Sequence, residues 1–194
     1  MLVVPAYLPP ISYFKKIVDE KELELFGDLN YQKQTYRNRC MIYGANDRLR
    51  LTIPIKHLNN RRKDKEVNIY NGFNWQKNHW KSLESAYRSS PFFEYYEDDI
   101  RPFYTKKYKL LYNLNIDLIN FVVDCIGLKI QIKEVDSNNQ KINIDEILNP
   151  KNKVKKIKPY RQVFDNKNGF QSDLSIIDLL FNLGPESLDY IKSL

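Results

Sequence analysis

The opening stretch Met1–Phe26, MLVVPAYLPPISYFKKIVDEKELELF, decides the fold. Leu2 to Ala6 is a short apolar run that stops at Tyr7-Leu8-Pro9-Pro10, so it reads as a buried strand entering a loop. Ser12 is placed to cap a helix, and Phe14, Ile17 and Val18 share one face of it. Glu22 to Phe26 alternates and predicts a second strand. Strand, crossover helix and strand in so short a span predict a compact βαβ unit and a parallel sheet.

Further along, Arg39 to Tyr43 and Arg48 to Ile55 flank Gly44-Ala45-Asn46-Asp47, a hairpin signal that Pro54 ends. Val67 to Tyr70 reads as another short strand before the Asn71-Gly72 turn. Trp75 to Ser89 is the clearest helix. Its inward side carries Trp75, His79, Ser82, Leu83 and Ala86, with Trp80 and Tyr87 at the margin. Ser90-Pro91 opens a short helix to Tyr96, and Asp98 and Asp99 are placed to cap another through Leu111. Asn115 to Cys125 reads as a helix ended by Gly127, Leu128 to Ile132 as a strand, and Asp136 to Asn139 as a turn. A basic linker, Pro150 to Pro159, leads to a last helix, Ser175 to Leu183. There Ser175 and Asp178 have capping-box spacing and Gly184-Pro185 is the stop. The expected architecture is a single α/β domain over residues 1–194, a mostly parallel sheet with an added β-hairpin and surrounding helices.

With 194 residues, 42% of them hydrophobic, the chain can bury a proper core. A net charge of +7 admits a nucleic acid, a phosphorylated small molecule or an anionic membrane surface as partner. The runs Arg61, Arg62, Lys63, Lys65 and Lys151, Lys153, Lys155, Lys156, Lys158 read first as solvated loops. Cys40 and Cys125 form no CxxC pair and no disulfide framework, so a reducing cytoplasm is the simplest setting. The N-terminus lacks a basic start and is not a signal peptide. The apolar run Ile116 to Leu128 is short and holds Asp117, Asn120 and Asp124, so no membrane span is expected. His57 and His79 are the only histidines, and neither HExxH, Walker loop nor GxGxxG is present. No metal site and no cofactor are therefore assigned.

The stretch Tyr31–Gly44, YQKQTYRNRCMIYG, gathers cations. Extended, it puts Lys33, Thr35, Arg37 and Arg39 on one face; helical, it still brings Lys33 and Arg37 together. Three unneutralised cations repel, so an anion is the natural partner, the alternative being a solvated basic face. The loop Tyr7 to Tyr13 follows the first strand, where α/β sheets bind ligands. Tyr7 and Tyr13 could wall a ring there, or brace a proline turn. His79 and Ser82, one helical turn apart, could be a base and a nucleophile, or His79 a satisfied core histidine. Lys81 projects away, toward solvent or a substrate at the helix margin.

The ordered set YLPPISYFKKI, QKQTYRNRCMIYG, LTIPI, HWKSLESAYRSSPFFEYY and LSIIDLLFNLGPES resembles the WbqC-like family from Tyr7 to Glu186. The residues matching its motifs are Tyr7, Pro9 and Tyr13; Lys33, Arg37, Asn38 and Arg39; Thr52 and Pro54; and His79, Trp80, Lys81, Ser82 and Tyr87. Members commonly carry a glycine where this chain has Ser12. The family is named for a member found in bacterial O-antigen and surface-polysaccharide clusters. The resemblance implies a cytoplasmic enzyme that modifies a nucleotide- or lipid-linked sugar, by acyl or aminoacyl transfer. Lys33, Arg37 and Arg39 would hold a phosphate or carboxylate, Asn38 would orient a polar group, and Tyr7 and Tyr13 would pack on a ring. His79 would be the general base beside Ser82. The alternatives are an RNA- or tRNA-binding module and a non-catalytic partner of glycan enzymes. On the first reading, Arg37→Ala weakens ligand binding and leaves the fold intact.

Overall fold

The computed structural model of the chain describes residues 1–57, 61–135, 148–149 and 155–194. Strand β1 (Leu2–Val3) leads through a loop into helix α1 (Ile11–Ile17), and β2 (Glu22–Phe26) returns beside β1. The pair is parallel, with Leu2 opposite Glu24 and Val3 opposite Leu25. The expected βαβ unit is therefore present.

Strands β3 (Arg39–Tyr43) and β4 (Arg48–Thr52) form the antiparallel hairpin, with Arg39 opposite Thr52. Helices α2 (Trp75–Tyr87), α3 (Phe93–Ile100), α4 (Pro102–Thr105) and α5 (Leu111–Cys125) follow. Strand β5 (Gln131–Val135) adds to β2 in parallel, giving the order β1-β2-β5. Helices α6 (Asp165–Asn168), α7 (Ile176–Leu183) and α8 (Ser187–Ser193) complete the described chain. The result is a single α/β domain with a parallel sheet and a separate hairpin. No helix among the described residues is long and apolar enough to cross a membrane.

Several local expectations need correction. Ser12 does not cap α1: it lies inside the helix, and Asp173 serves the helix start from the far end of the chain. The Asp173 carboxylate accepts from the Ser12 N–H and from its Oγ, both at 2.8 Å. Asp98 and Asp99 lie within α3 rather than capping a later helix. Ser90 gives its hydroxyl to the Tyr87 carbonyl, and α3 starts later, at Phe93. The fifth strand begins at Gln131, because Gly127 at φ +70° first turns the chain out of α5. Ser175 does cap α7, but Asp178 turns away from the cap into the core, where it meets Tyr87, Tyr160 and Gln162. The turn expected at Asp136 to Asn139 and the linker residues 150–154 lie outside the described residues.

Two distant segments are stitched together at the sheet's edge. Ile11 N–H donates to the Leu174 carbonyl and Ile176 N–H to the Pro9 carbonyl, at 3.0 and 2.9 Å. Ser175 Oγ donates to the Leu8 carbonyl at 2.7 Å. Asp173 sits at φ +54°, a conformation that Asp and Asn tolerate better than most residues. Asp173→Ala is expected to lower the unfolding free energy by about 1–3 kcal/mol, since two buried donors lose their acceptor. Asp173→Asn should cost less, because it keeps one acceptor oxygen and tolerates the backbone. Urea unfolding of the two variants checks this ranking, and equal losses would contradict it.

Candidate functional site

The cationic stretch does not form one face. Residues 31–38 run through turns, Arg39 opens β3, and the cations separate. Lys33 is exposed, Arg39 is half-buried, and Arg37 is 2% exposed. Arg37 Nε lies 2.9 Å from Asp64 Oδ1, a carboxylate delivered by the pairing of residues 29–31 with 62–64. The N–H is not aligned on the oxygen, so the contact is an ion pair without a formed hydrogen bond.

Around this pair lie buried polar atoms without hydrogen-bond partners: Arg37 Nη1, Arg39 Nε, the Tyr31 hydroxyl, both Asp64 oxygens, and Oδ1 of Asn38 and Asn115. Buried polar groups are normally satisfied, so this concentration makes the cluster the candidate site. The backbone beneath is firmly held. Asn115 Nδ2 donates to the Arg37 carbonyl at 2.8 Å, and Asn38 Nδ2 donates to the Ile53 carbonyl at 2.9 Å. Burial pushes the Asp64 carboxyl up to about 6, with Arg37 pulling it back. Burial and the neighbouring Arg50 pull Arg39 down. Arg37, Arg39, Arg50 and Lys63 outnumber the carboxylates of Asp64 and of Glu66, which accepts from the Lys63 N–H, and leave the cluster net positive.

His79 adjoins this cluster through the Arg39–Thr52 rung. Its Nδ1 lies 2.9 Å from the Tyr7 hydroxyl, which in turn lies 3.0 Å from the Tyr104 hydroxyl. The ring also hydrogen-bonds the Thr52 backbone, an interaction that favours the charged ring and so uses the carbonyl. Burial nevertheless pushes His79 down to about 4. The neutral ring thus links Tyr104, Tyr7 and β4 in one buried chain. Both its nitrogens are engaged, which makes it a weak base and a strong positioning group.

Ser82 is not brought to His79. Its hydroxyl donates to the Asn78 carbonyl one turn back, at 2.9 Å. Tyr13 is buried in the core and gives its hydroxyl to the Val4 carbonyl. Tyr87 is buried too; its hydroxyl accepts from the Tyr43 N–H and donates to Asp178. Lys81 is exposed. Arg37 and Asn38 thus meet at one place, with Arg39, Tyr7 and His79 close behind. Lys33, Lys81, Ser82, Tyr13 and Tyr87 lie apart from that cluster by their contacts or exposure. Because Arg37 is a buried ion-pair member, Arg37→Ala strands Asp64 and tests stability before it tests binding, contrary to the expectation from sequence. Sequence reasoning passed over Tyr31, Asp64, Tyr104 and Asn115. Only the aromatic at the head of the cationic stretch carried a local signal.

A family model described as the WbqC-like protein family matches residues 5–155, a span that includes every residue of the cluster. The chain is similar to the "Uncharacterized protein Rv1507c" of Mycobacterium tuberculosis (strain ATCC 25618 / H37Rv). The two are 23% identical over 225 residues, with 98% of this chain and 96% of that protein covered. No solved structure matches the chain.

Asp64 and His79 load the pH dependence in opposite senses. Asp64 is raised in the fold, so its contribution is full below pH 3.8 and is lost as pH rises through about 6. His79 is lowered, so its contribution is full above pH 6.5 and is lost as pH falls through about 4. Asp64→Asn removes the first effect alone. The stability of Asp64→Asn relative to the unsubstituted protein should therefore climb by about 2–3 kcal/mol between pH 4 and 7. Urea unfolding across that range checks it, and parallel curves would rule it out.

Proposed function

This chain belongs to the WbqC-like family, and from the chemistry of the Arg37 cluster we propose that it is a cytoplasmic enzyme of surface-polysaccharide biosynthesis. Its substrate in this reading is a phosphorylated or carboxylated small molecule of the sugar-nucleotide class, or a lipid-linked sugar. The reaction is transfer of an acyl or aminoacyl group to the sugar. The single domain of residues 1–194 carries the whole site.

One observation supports the reading above the others. Arg37 Nη1, Arg39 Nε and the Tyr31 hydroxyl are donors without partners in one net-positive, mostly buried cluster. Charge-assisted hydrogen bonds from such donors to a phosphate or carboxylate are the strong kind. Asn38, with its unpartnered Oδ1, is the group to accept from a sugar hydroxyl. His79 and Tyr7 hold the floor of the site through Thr52, and Lys33 and Lys81 are left to steer an anion from solvent. The preference for a small molecule over RNA rests on the depth of Arg37, which at 2% exposure favours a compact anion over a polymer backbone.

Tyr31→Phe and Arg39→Ala remove donors while leaving the Arg37–Asp64 pair intact. Calorimetric titration with UDP-sugars and inorganic phosphate is expected to show Arg39→Ala weakening binding by about tenfold or more, and Tyr31→Phe by less. Melting temperatures should stay near that of the parent protein. Unchanged affinities in both variants would remove the anion role.

A further inference from the structure

The loop leading into α2 displays two aromatic rings that the fold leaves in water. Tyr70 is 40% exposed and Phe73 is 66% exposed. They meet edge to face, with centroids 5.2 Å apart and planes at 74°. The loop is braced on both sides of this pair. Asn71 Nδ2 donates to the Tyr108 carbonyl at 2.9 Å, and Asn71 Oδ1 accepts from Trp75 Nε1 at 3.3 Å. Gly72 supplies the bare backbone that the Tyr70 ring lies across, for a Cβ at that position would stand 2.4 Å from the ring. The rings are thus held outward by a built loop.

Beside Tyr70 opens a cavity of about 390 Å³, lined by residues 68–72 of the loop and rimmed by Lys56, Lys107 and Lys109, with Phe73 at its edge through its contact with Tyr70. No carboxylate lines it. None of the three lysines forms an ion pair among the described residues. An adjoining cavity shares Lys107 and Lys109 and adds Asp117 and Glu134. There Asp117 is taken up by the Tyr108 hydroxyl at 2.7 Å.

Exposed flat rings call for a flat partner, because stacking removes both faces from water. Three unpaired ammonium groups within reach of the same cavity call for an anion. A nucleotide supplies both in one molecule, and the cavity suits a ligand of that size. We propose that the Tyr70–Phe73 ledge and its three lysines form a nucleotide-binding site, with the base against Phe73 and the phosphates on Lys56, Lys107 and Lys109. The site lies outside the Arg37 cluster and stands whether or not that cluster holds an anion. The two are mechanically close, since Trp75, which braces Asn71, also packs its ring edge-on to His79 at 5.2 Å.

Binding of UDP, ADP, uridine and inorganic phosphate is measured by calorimetry on the full chain. The comparison is with Phe73→Ala, the double variant Lys107→Ala/Lys109→Ala, and Lys129→Ala, past the far end of α5. All four substituted side chains are exposed or half-buried, and melting temperatures confirm folding. Phe73→Ala is expected to weaken nucleotide binding about five- to 150-fold, the range for loss of one stacking ring. The lysine variant should weaken it comparably and flatten its salt dependence, while Lys129→Ala leaves it unchanged. Uridine and phosphate alone should bind far more weakly than UDP. Nucleotide binding that ignores the ledge variants overturns the proposal, as does the absence of binding by either nucleotide. A single-stranded oligonucleotide that uses the same residues but binds much tighter than any mononucleotide also overturns it, in favour of an RNA surface.

Discussion

A loop with no access to water governs this structure. Residues 4–14 are all buried, although 4–10 have no regular secondary structure beyond a single bridge. Buried backbone must find partners, and a buried loop has no ladder to provide them. The chain lowers the demand with three prolines, Pro5, Pro9 and Pro10, which have no N–H to satisfy. The remaining groups are met from every side. Tyr7 N–H donates to the Tyr36 carbonyl, Asn115 serves the Pro5 carbonyl, and Tyr13 serves that of Val4. Ser175 and Ile176 serve Leu8 and Pro9. Most of these partners come from distant parts of the chain, so the loop can be satisfied only when the cationic segment, α5 and the start of α7 are all in place.

That requirement also arranges the candidate site. The segment that accepts from Tyr7 continues into Arg37 and Asn38, and Asn115 holds the Arg37 carbonyl as well as that of Pro5. One amide therefore ties the buried loop to the cationic cluster. Tyr7 lies in the same loop and turns its hydroxyl to His79, fixing α2 against β4. A second buried network, with the Asp178 carboxylate receiving Tyr87, Tyr160 and Gln162, fixes the other end of α2. Burial raises Asp178 to about 6, against the pull of the Tyr160, Gln162 and Tyr87 hydrogen bonds.

Much of the fold was legible locally. The apolar runs at Leu2 and Glu22, the turn residues Gly44 to Asp47 and the inward face of Trp75, His79, Leu83 and Ala86 are period and turn signals that depend on near neighbours. Two of the misses share one physical cause, a partner far away in the chain. Ser12 looked like a cap because capping is ordinarily local, yet its partner Asp173 lies 161 residues away. Asp178 had capping-box spacing, but three distant donors compete for its carboxylate. The last helix, Ser187–Ser193, follows a Gly-Pro stop that turns the chain without ending its helical structure.

For the site, the sequence alone determined which residues carry charge and which motif they belong to. It placed Arg37, Asn38 and Arg39 in one stretch and His79 on an inward helical face. Tertiary structure alone decided what those groups face. Asp64 reaches Arg37 because residues 62–64 pair with 29–31. Tyr7 reaches His79, and Tyr104 reaches Tyr7, because a buried loop and a short helix converge on α2. Whether a cation is a solvated charge, half of a buried ion pair or an unpartnered donor depends on desolvation and on partners far away in the chain. Neither quantity is a property of neighbouring residues, so spacing could gather the cations of Tyr31–Gly44 but could not say which of them would be buried.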